Sequence, residues 1–360
     1  MRYRVLGGTG FEVSTYCLGT MMFGAVGNAD HQESVRIIHA ALDRGINFVD
    51  TADMYSSGES EEIVGKALRD SRRRDETVLA TKVYFPFGGE GPNRGGLSRR
   101  WITRAVENSL KRLGTDWIDL YQVHRPDHRT DIEETLDVLG DLVSQGKIRA
   151  FGCSTFPAEE IVEAHAVAER RGLRRFRSEQ PPYSLLARGV ETSVLPVAQR
   201  YGMGVLTWAP LASGFLSGKY RKGRPVDLTS GRPALTPHRF DPALPGNAAK
   251  LDAVEEFVAL ADEIGCSLPE LAIAFAAAHP AVTSVILGPR TMDQLEGLLK
   301  GAPVLLTDEA LDRIDAIVPP GTNLYRADGV WQPPALTEPS LRRRPLEQRA
   351  AAVRPSSPAI

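Results

Sequence analysis

Two hydrophobic periods alternate along most of this chain. Short apolar runs of strand type are followed by stretches with apolar residues three and four apart, the spacing of a one-faced helix. Residues 2–15 read as a β-hairpin: Phe11-Glu12-Val13-Ser14-Thr15 alternates apolar with polar, and Gly7-Gly8-Thr9-Gly10 supplies the turn. From Cys17 onward the order is strand, loop, helix, repeated. Asp30 and Glu33 open a helix in the manner of a capping box, with Val35, Ile38, Ala41 and Leu42 on one face and Gly45 as its stop. Strand 47–52, a helix at 60–68 and strand 78–82 follow. Ser98 caps a helix whose apolar face carries Ile102, Ala105, Val106, Leu110 and Leu113, closed by Gly114. Strands 119–124, 150–155, 176–180 and 204–208 then alternate with helices 132–143, 158–170 and 190–200. A Pro- and Gly-rich insertion spans 219–246, helices 248–264 and 268–278 precede the last strand, 282–287, and helices at 292–299 and 309–317 close the pattern.

Eight strands separated by helices imply a parallel sheet, and eight βα units suggest closure into a (β/α)8 (TIM) barrel rather than an open doubly wound sheet. The expected organisation is one barrel domain over residues 1–318, with the N-terminal hairpin and extra helices, then a Pro/Arg-rich tail over 319–360. Arg342-Arg343-Arg344 in that tail reads as part of a solvated terminus. Gly7-Gly8-Thr9-Gly10 mimics a dinucleotide phosphate loop, but such a loop must open a helix whose N–H groups face the pyrophosphate. A strand follows instead, and no Tyr has a Lys four residues on, so the Rossmann reading is rejected.

The chemistry lies where polar residues interrupt this pattern. Asp50 ends the second barrel strand, Lys82 the third and His124 the fourth; Ser154 and Thr155 end the fifth, Gln180 the sixth and Trp208 the seventh, and Gly288-Pro289-Arg290 follows the eighth. Singly, each has a bland reading as a cap, a surface lysine, a core histidine or packing. Together they would fall on one rim of a barrel, the face where such folds carry active sites. Tyr55 follows Asp50 by five residues. A phenol with a pKa of about 10 is a poor acid at neutral pH unless a cation attends it. Lys82 can be that cation, Asp50 can hold it, and His124 can donate a hydrogen bond to a substrate oxygen. This set suits carbonyl reduction, with the hydride coming from a cofactor because no side chain can give one.

Composition narrows the classes further. A chain of 360 residues, 42% hydrophobic and with net charge −2, offers no electrostatic case for nucleic acid or an anionic membrane. The longest apolar run, 271–278, is too short to span a bilayer, and the N-terminus has no apolar signal core. Three widely spaced cysteines form no metal-ligand pairing, so a reduced, cytoplasmic protein without a metal is expected. The residues specify no oligomeric state.

Asp50, Tyr55, Lys82 and His124, with the flanking Asp-Thr-Ala-x-x-Tyr, Ala-Thr-Lys and Asp-Leu-Tyr-Gln-Val-His, resemble the catalytic tetrad of the aldo-keto reductases over roughly residues 1–318. The chain is most similar in character to bacterial members that resemble potassium-channel β-subunits. The resemblance implies Tyr55 as general acid, Lys82 and Asp50 as its tuning pair, and His124 as substrate orienter. It also implies a cofactor site: Gly19, Thr20 and Met21 beside the nicotinamide with Asp50, Ser154 and Gln180 on the carboxamide, and Trp208 stacked on the ring. Thr155 stands where the family usually has Asn. Leu211, Ser213, Gly214, Leu216 and Lys219 resemble the loop over the pyrophosphate, and Gly288, Arg290 and Gln294 the adenosine end. Arg290 suits a 2′-phosphate, which makes NADPH the expected cofactor; Leu298 replaces an Asn that often contacts adenine.

Met22, Phe23, Met54, Tyr84 and Trp331 are candidates to line a mouth for a small carbonyl substrate, with ordinary packing as the competing role for each. Arg125, next to His124, could meet an anionic group, with a solvated or ion-paired arginine as the default reading. Two rivals to a general carbonyl reductase remain: a regulatory NADPH-binding protein akin to channel β-subunits with little turnover, and a biosynthetic reductase of nucleotide-linked keto-sugars. A basic groove at the rim would mark the latter.

Overall fold

The computed structural model of the chain describes residues 1–89, 91–229, 231–329, 332 and 334–351. Strands β1 (Tyr3–Val5) and β2 (Glu12–Ser14) form an antiparallel hairpin. The barrel strands are β3 (Tyr16–Gly19), β4 (Phe48–Asp50), β5 (Val78–Val83), β6 (Ile118–Val123), β7 (Ile148–Ser154), β8 (Ser178–Gln180), β9 (Gly204–Thr207) and β10 (Ser284–Leu287). They pair in sequence order, all parallel, and β10 returns to β3 to close the ring, Val285 opposite Tyr16 and Leu287 opposite Leu18. The fold is the expected (β/α)8 barrel with an N-terminal hairpin.

Helices α1 (His31–Asp43), α2 (Glu59–Ser71), α3 (Arg99–Leu113), α4 (Ile132–Ser144), α5 (Ala158–Arg171) and α6 (Val194–Arg200) cover the outside. Next come α7 (Gly231–Leu235), α8 (Pro245–Ile264), α9 (Leu268–Ala278), α10 (Met292–Leu299), α11 (Asp308–Ile317) and the short α12 (Pro334–Thr337). Ser98 and Gly114 cap α3 as the sequence suggests, and further caps appear at α5 and α9. Ser98 accepts from Trp101 N, Ser267 and Glu270 form a reciprocal capping box, and Gly114 and Gly172 end α3 and α5 in the left-handed region. The box at α1 is only half made. Asp30 accepts from Glu33 N, but the Glu33 carboxylate accepts from Asn28 Nδ2 at 3.0 Å instead of turning back.

Two boundaries differ from the periodicity. The expected helix 190–200 is a 3-10 turn (Gly189–Thr192), a break at Ser193 and then α6. Pro196 explains the break, because its ring would clash with the carbonyl four residues back in a continuous helix. Helix α8 begins at Pro245, three residues before the expected start, since Pro is tolerated in a first turn. Within the insertion, α7 and a turn at Pro237–Arg239 are the regular pieces.

One apolar layer lies between the sheet and the helices, and a second fills the lower barrel: Leu6, Val13, Cys17, Phe48, Ala80, Leu120, Ala150, Leu206 and Ile286. Leu6 and Val13 come from the hairpin, which plugs the N-terminal mouth. At Gly7 the hairpin presses so close that a Cβ would lie 2.5 Å from the Arg177 carbonyl oxygen. Two residues further along each strand, on the same inward side, the character changes. Phe48 gives way to Asp50, Ala80 to Lys82, Leu120 to Gln122 and then His124, Ala150 to Gly152 and Ser154, and Leu206 to Trp208. The tail after α11 turns back across the barrel. Leu324 N donates to Leu186 O at 3.1 Å, and Lys250 of α8 donates to Asp328 at 3.0 Å. Residues 336–351, including Arg342, Arg343 and Arg344, are exposed.

Candidate active site

Lys82 is fully buried, and its three ammonium protons all have partners: Asp50 Oδ2 at 2.5 Å, Thr51 O at 2.8 Å and Tyr55 Oη at 3.2 Å. The other Asp50 oxygen, Oδ1, accepts from Gln122 Nε2 at 3.0 Å and from Gln180 Nε2 at 2.9 Å. Gln180 also donates to Gln122 Oε1 at 3.1 Å, so side chains from β4, β5, β6 and β8 form one closed network. Removing two opposite charges from water is costly, and a buried pair of this kind is weak evidence of stabilisation. Burial opposes the Lys82 ammonium, but Asp50 and then Tyr55 outweigh it, and the Lys82 pKa lies above its ordinary value. The lysine is therefore a fixed cation.

Tyr55 sits on the loop after β4, where Ser56 and Ser57 take positive φ of 46° and 55°. Such strain costs on the order of 1–3 kcal/mol per residue and persists only where neighbours enforce it. Ser56 Oγ donates to Phe23 O at 2.9 Å, and a chain of buried hydroxyls, Thr20, Ser60 and Thr51, pins the base of the loop at 2.8 and 3.0 Å. Desolvation raises the Tyr55 pKa above that of a free phenol, with Lys82 pulling against it. The phenol is thus protonated at neutral pH and rests on a permanent positive charge. The His124 ring lies edge-on to Tyr55 at 5.8 Å and to Phe85 at 5.1 Å. Its Nδ1 is buried without a partner, and burial, followed by Lys82 and Arg125, pushes its pKa well below the ordinary value. A neutral imidazole beside a protonated phenol can grip a carbonyl oxygen from two sides.

The remaining sequence candidates are distributed around this centre. Ser154 Oγ donates to Gln180 O at 2.9 Å, and Thr155, with φ of 59°, donates its N–H to the same oxygen at 3.2 Å. Trp208 lies one residue past β9, half-buried above the apolar plug. Beyond it Ala209, Ala212, Ser213 and Gly214 all have positive φ, and their bend leaves a pocket whose walls include Trp208, Ala209, Ala212 and Ser213. Leu211 is half-buried, Leu216 is fully buried in the core, and Lys219 is exposed. Gly288 is open on its Cβ side, and Gln294 Oε1 accepts from Arg290 N at 2.8 Å. Asn28 Nδ2 ties the Arg290 carbonyl to the loop after β3 at 2.7 Å, where Gly19 is buried and Met21 exposed.

Of the mouth candidates, Met54 is exposed, Met22 and Tyr84 are half-buried, and Phe23 is fully buried in the core. Trp331 lies outside the described residues. Three groups were not singled out from the sequence. Gln122 completes the Asp50 network. Arg232 and Arg239 of the insertion come within electrostatic range of the Tyr55 phenol and of Arg125, respectively. Asp53, Glu61 and Arg112 form a buried cluster behind the Tyr55 loop, where Arg112 Nε donates to Glu61 Oε2 at 2.6 Å. Burial and then Glu61 raise the Asp53 pKa to about 8.

A model of the aldo/keto reductase family matches residues 16–319. The chain belongs to this family. Membership makes the protein an oxidoreductase of the kind that acts on carbonyl compounds. Among the aldo/keto reductase relatives, the uncharacterized oxidoreductase YrpG of Bacillus subtilis is 40% identical over 328 residues, 89% of this chain and 96% of its own. Aldo-keto reductase YhdN of the same organism is 38% identical over 88% of this chain and 94% of its own. A protein named probable voltage-gated potassium channel subunit beta, from Oryza sativa, is 39% identical over 91% of this chain and 100% of its own. No helix among the described residues is long and apolar enough to cross a membrane, and no three metal-type side chains gather among them.

Proposed function

We propose that this aldo/keto reductase reduces an aldehyde or ketone to the alcohol with NADPH, Tyr55 giving the proton. The observation that carries the reading is the position of Lys82 Nζ between Asp50 Oδ2 and Tyr55 Oη. As the carbonyl is reduced, negative charge grows on its oxygen. Tyr55 then releases its proton to that oxygen, and the resulting phenolate is stabilised by the ammonium it already touches. His124, neutral, orients the oxygen by a hydrogen bond, and the Asp50 network keeps Lys82 from following the leaving proton.

A reduced nicotinamide, when bound, supplies the hydride. The residues present fit that group. Trp208 offers a half-buried aromatic face, and Ser154, Thr155 and Gln180 offer polar atoms beside it. The left-handed residues Ala209, Ala212, Ser213 and Gly214 bend the chain beside Trp208 in the manner of an anion-binding nest for a diphosphate, and Gly288 leaves room near Arg290. Gly19, Thr20 and Met21, with Leu211, Leu216, Lys219 and Gln294, complete the set we assign to the cofactor. A guanidinium at Arg290 favours NADPH over NADH. We read residues 1–318 as the catalytic unit and 319–360 as an appendage to it. Free thiols at Cys17, Cys153 and Cys266 suit a cytoplasmic setting.

The decisive test is oxidation of NADPH by the purified protein with an aromatic aldehyde, Tyr55→Phe alongside. Rapid loss of reduced-nicotinamide absorbance that the substitution abolishes is expected; equal activity in both proteins overturns the assignment. The name of the rice relative supports a second reading, a subunit that binds NADPH and turns over slowly. Tight binding with one slow turnover per site would favour it.

A further inference from the structure

The amide of Gln122 makes no hydrogen bond to Tyr55 or Lys82, yet it decides how its neighbours can face. Asp50, ion-paired with Lys82, offers acceptor oxygens only. Both amides within reach of its Oδ1 must therefore present their NH2 groups, Gln122 at 3.0 Å and Gln180 at 2.9 Å. With its nitrogen turned to Asp50, Gln122 shows its oxygen to Gln180 and accepts the second Gln180 proton at 3.1 Å. Both amide protons of Gln180 are then spent. The Gln180 backbone is held as well, its carbonyl accepting from Ser154 Oγ at 2.9 Å and from the Thr155 N–H at 3.2 Å.

What remains of the Gln180 amide is one acceptor, Oε1, to which no group among the described residues donates. Turning that amide over would break two hydrogen bonds. It would also set the Gln180 oxygen against those of Asp50 and Gln122, in a site where all three side chains are buried. Gln180 can thus receive a proton donor but cannot offer one.

We propose, resting on the cofactor reading above, that Gln122 is a positioning residue that locks Gln180 as an acceptor, so that the site selects a nicotinamide whose ring substituent carries an N–H. The lock closes on the carboxylate that also fixes Lys82. One acid therefore sets both the contact to the cofactor and the cation beside Tyr55. A ring substituent with a carbonyl and no N–H would bring acceptor against acceptor at Gln180 and lose about 10- to 100-fold in affinity.

The test is calorimetric titration of the full chain with three ligands: NADP+, its thionicotinamide analogue, which keeps the NH2 group, and its 3-acetylpyridine analogue, which has none. The parent is expected to bind the first two alike and the third about 10- to 100-fold more weakly. In Gln122→Met, turning Gln180 over costs one hydrogen bond instead of two, so that discrimination should shrink about 5- to 10-fold. Gln122→Asn, too short to reach both partners, should shrink it likewise and serves if Gln122→Met does not fold. A parent that binds the acetyl analogue as tightly as NADP+ overturns the lock. So does a variant that loses affinity for all three ligands by one factor, which would make Gln122 a packing residue. Both of those outcomes leave the reductase reading to the Tyr55→Phe assay. A parent that binds no NADP+ removes the cofactor reading and the lock together.

Discussion

The two mouths of the barrel are built to opposite specifications. At the N-terminal mouth, seven connections from α2–β5 to α9–β10 and α1–β4 are three to six residues long, and glycines such as Gly45, Gly114, Gly146, Gly172 and Gly202 make the left-handed bends. The hairpin then seals that end with Leu6 and Val13. At the C-terminal mouth most loops are longer, β7–α5 and β10–α10 excepted, and left-handed bends fall on side chains that resist them as well as on glycines. Of the described non-glycine residues with positive φ, all but Arg72 lie there: Ser56, Ser57, Asn93, Thr155, Ala209, Ala212 and Ser213. The same inward file of positions runs from one end to the other, apolar below and mostly polar above. One end is relaxed and dry; the other stores strain and unpaired polar atoms, as sites that must meet a ligand do.

The sharpest way to break this contrast is at Lys82. Replacing it by Met is expected to slow turnover about 100- to 10,000-fold. It also leaves Asp50 buried without its cation, at a cost of about 3–5 kcal/mol. Adding Asp50→Asn should restore much of that stability, by denaturant unfolding, and none of the rate. A double variant that regained activity would show that the network acts only as scaffold. At the sealed mouth the effects should separate the other way. Leu6→Ala removes a fully buried side chain and should lose about 2–5 kcal/mol with kcat unchanged. Gly7→Ala combines a left-handed φ of 51° with a close backbone approach and should lose about 1–3 kcal/mol, again without a kinetic change.

Two pH experiments sharpen the comparison at smaller amplitude. Folded Asp53 keeps its proton up to about pH 8, whereas the unfolded chain loses it near the ordinary carboxylate value of about 4. The folded state thus binds the extra proton, and this group contributes stability at low pH that drains as pH rises between those values. The slope is at most about 1.4 kcal/mol per pH unit. Asp53→Asn should flatten that decline in thermal melts. Tyr55 acts as an acid, so reduction should be lost as pH climbs through its raised pKa, and the rate should stay level across neutral pH. His124 is neutral throughout that range, so kcat should show no break near the usual imidazole pKa of about 6.5; a break there would assign the proton to His124.

The sequence displayed the barrel because strand and helix periods differ, and it displayed Asp50, Lys82 and His124 because each ends an apolar run. Gln122 was hidden for the opposite reason. A single polar residue inside Asp-Leu-Tyr-Gln-Val-His looks like ordinary alternation, and only its inward parity with His124 could have exposed it. Arg232 and Arg239 lie in a proline-rich stretch with no period, so nothing local says that they turn back to the mouth. Phe23 illustrates the converse error: an apolar residue near the site in sequence is, in space, fully buried core. The helix break at Ser193 was legible in principle, since Pro196 forbids a continuous run. Which mouth the hairpin closes is a tertiary choice that alternation alone does not encode.

The pairing of β10 with β3 has a consequence for how the chain comes to be folded at all. Val285 meets Tyr16 across most of the polypeptide, so the ring stays open until nearly the whole sequence has left the ribosome. Until then β3 and β9 each present an unsatisfied backbone edge, and the apolar plug beneath them has only part of its wall. Contacts of such long sequence separation slow folding, and open edges invite pairing with other chains. Truncations that stop short of Ser284 should therefore aggregate rather than persist as partial barrels.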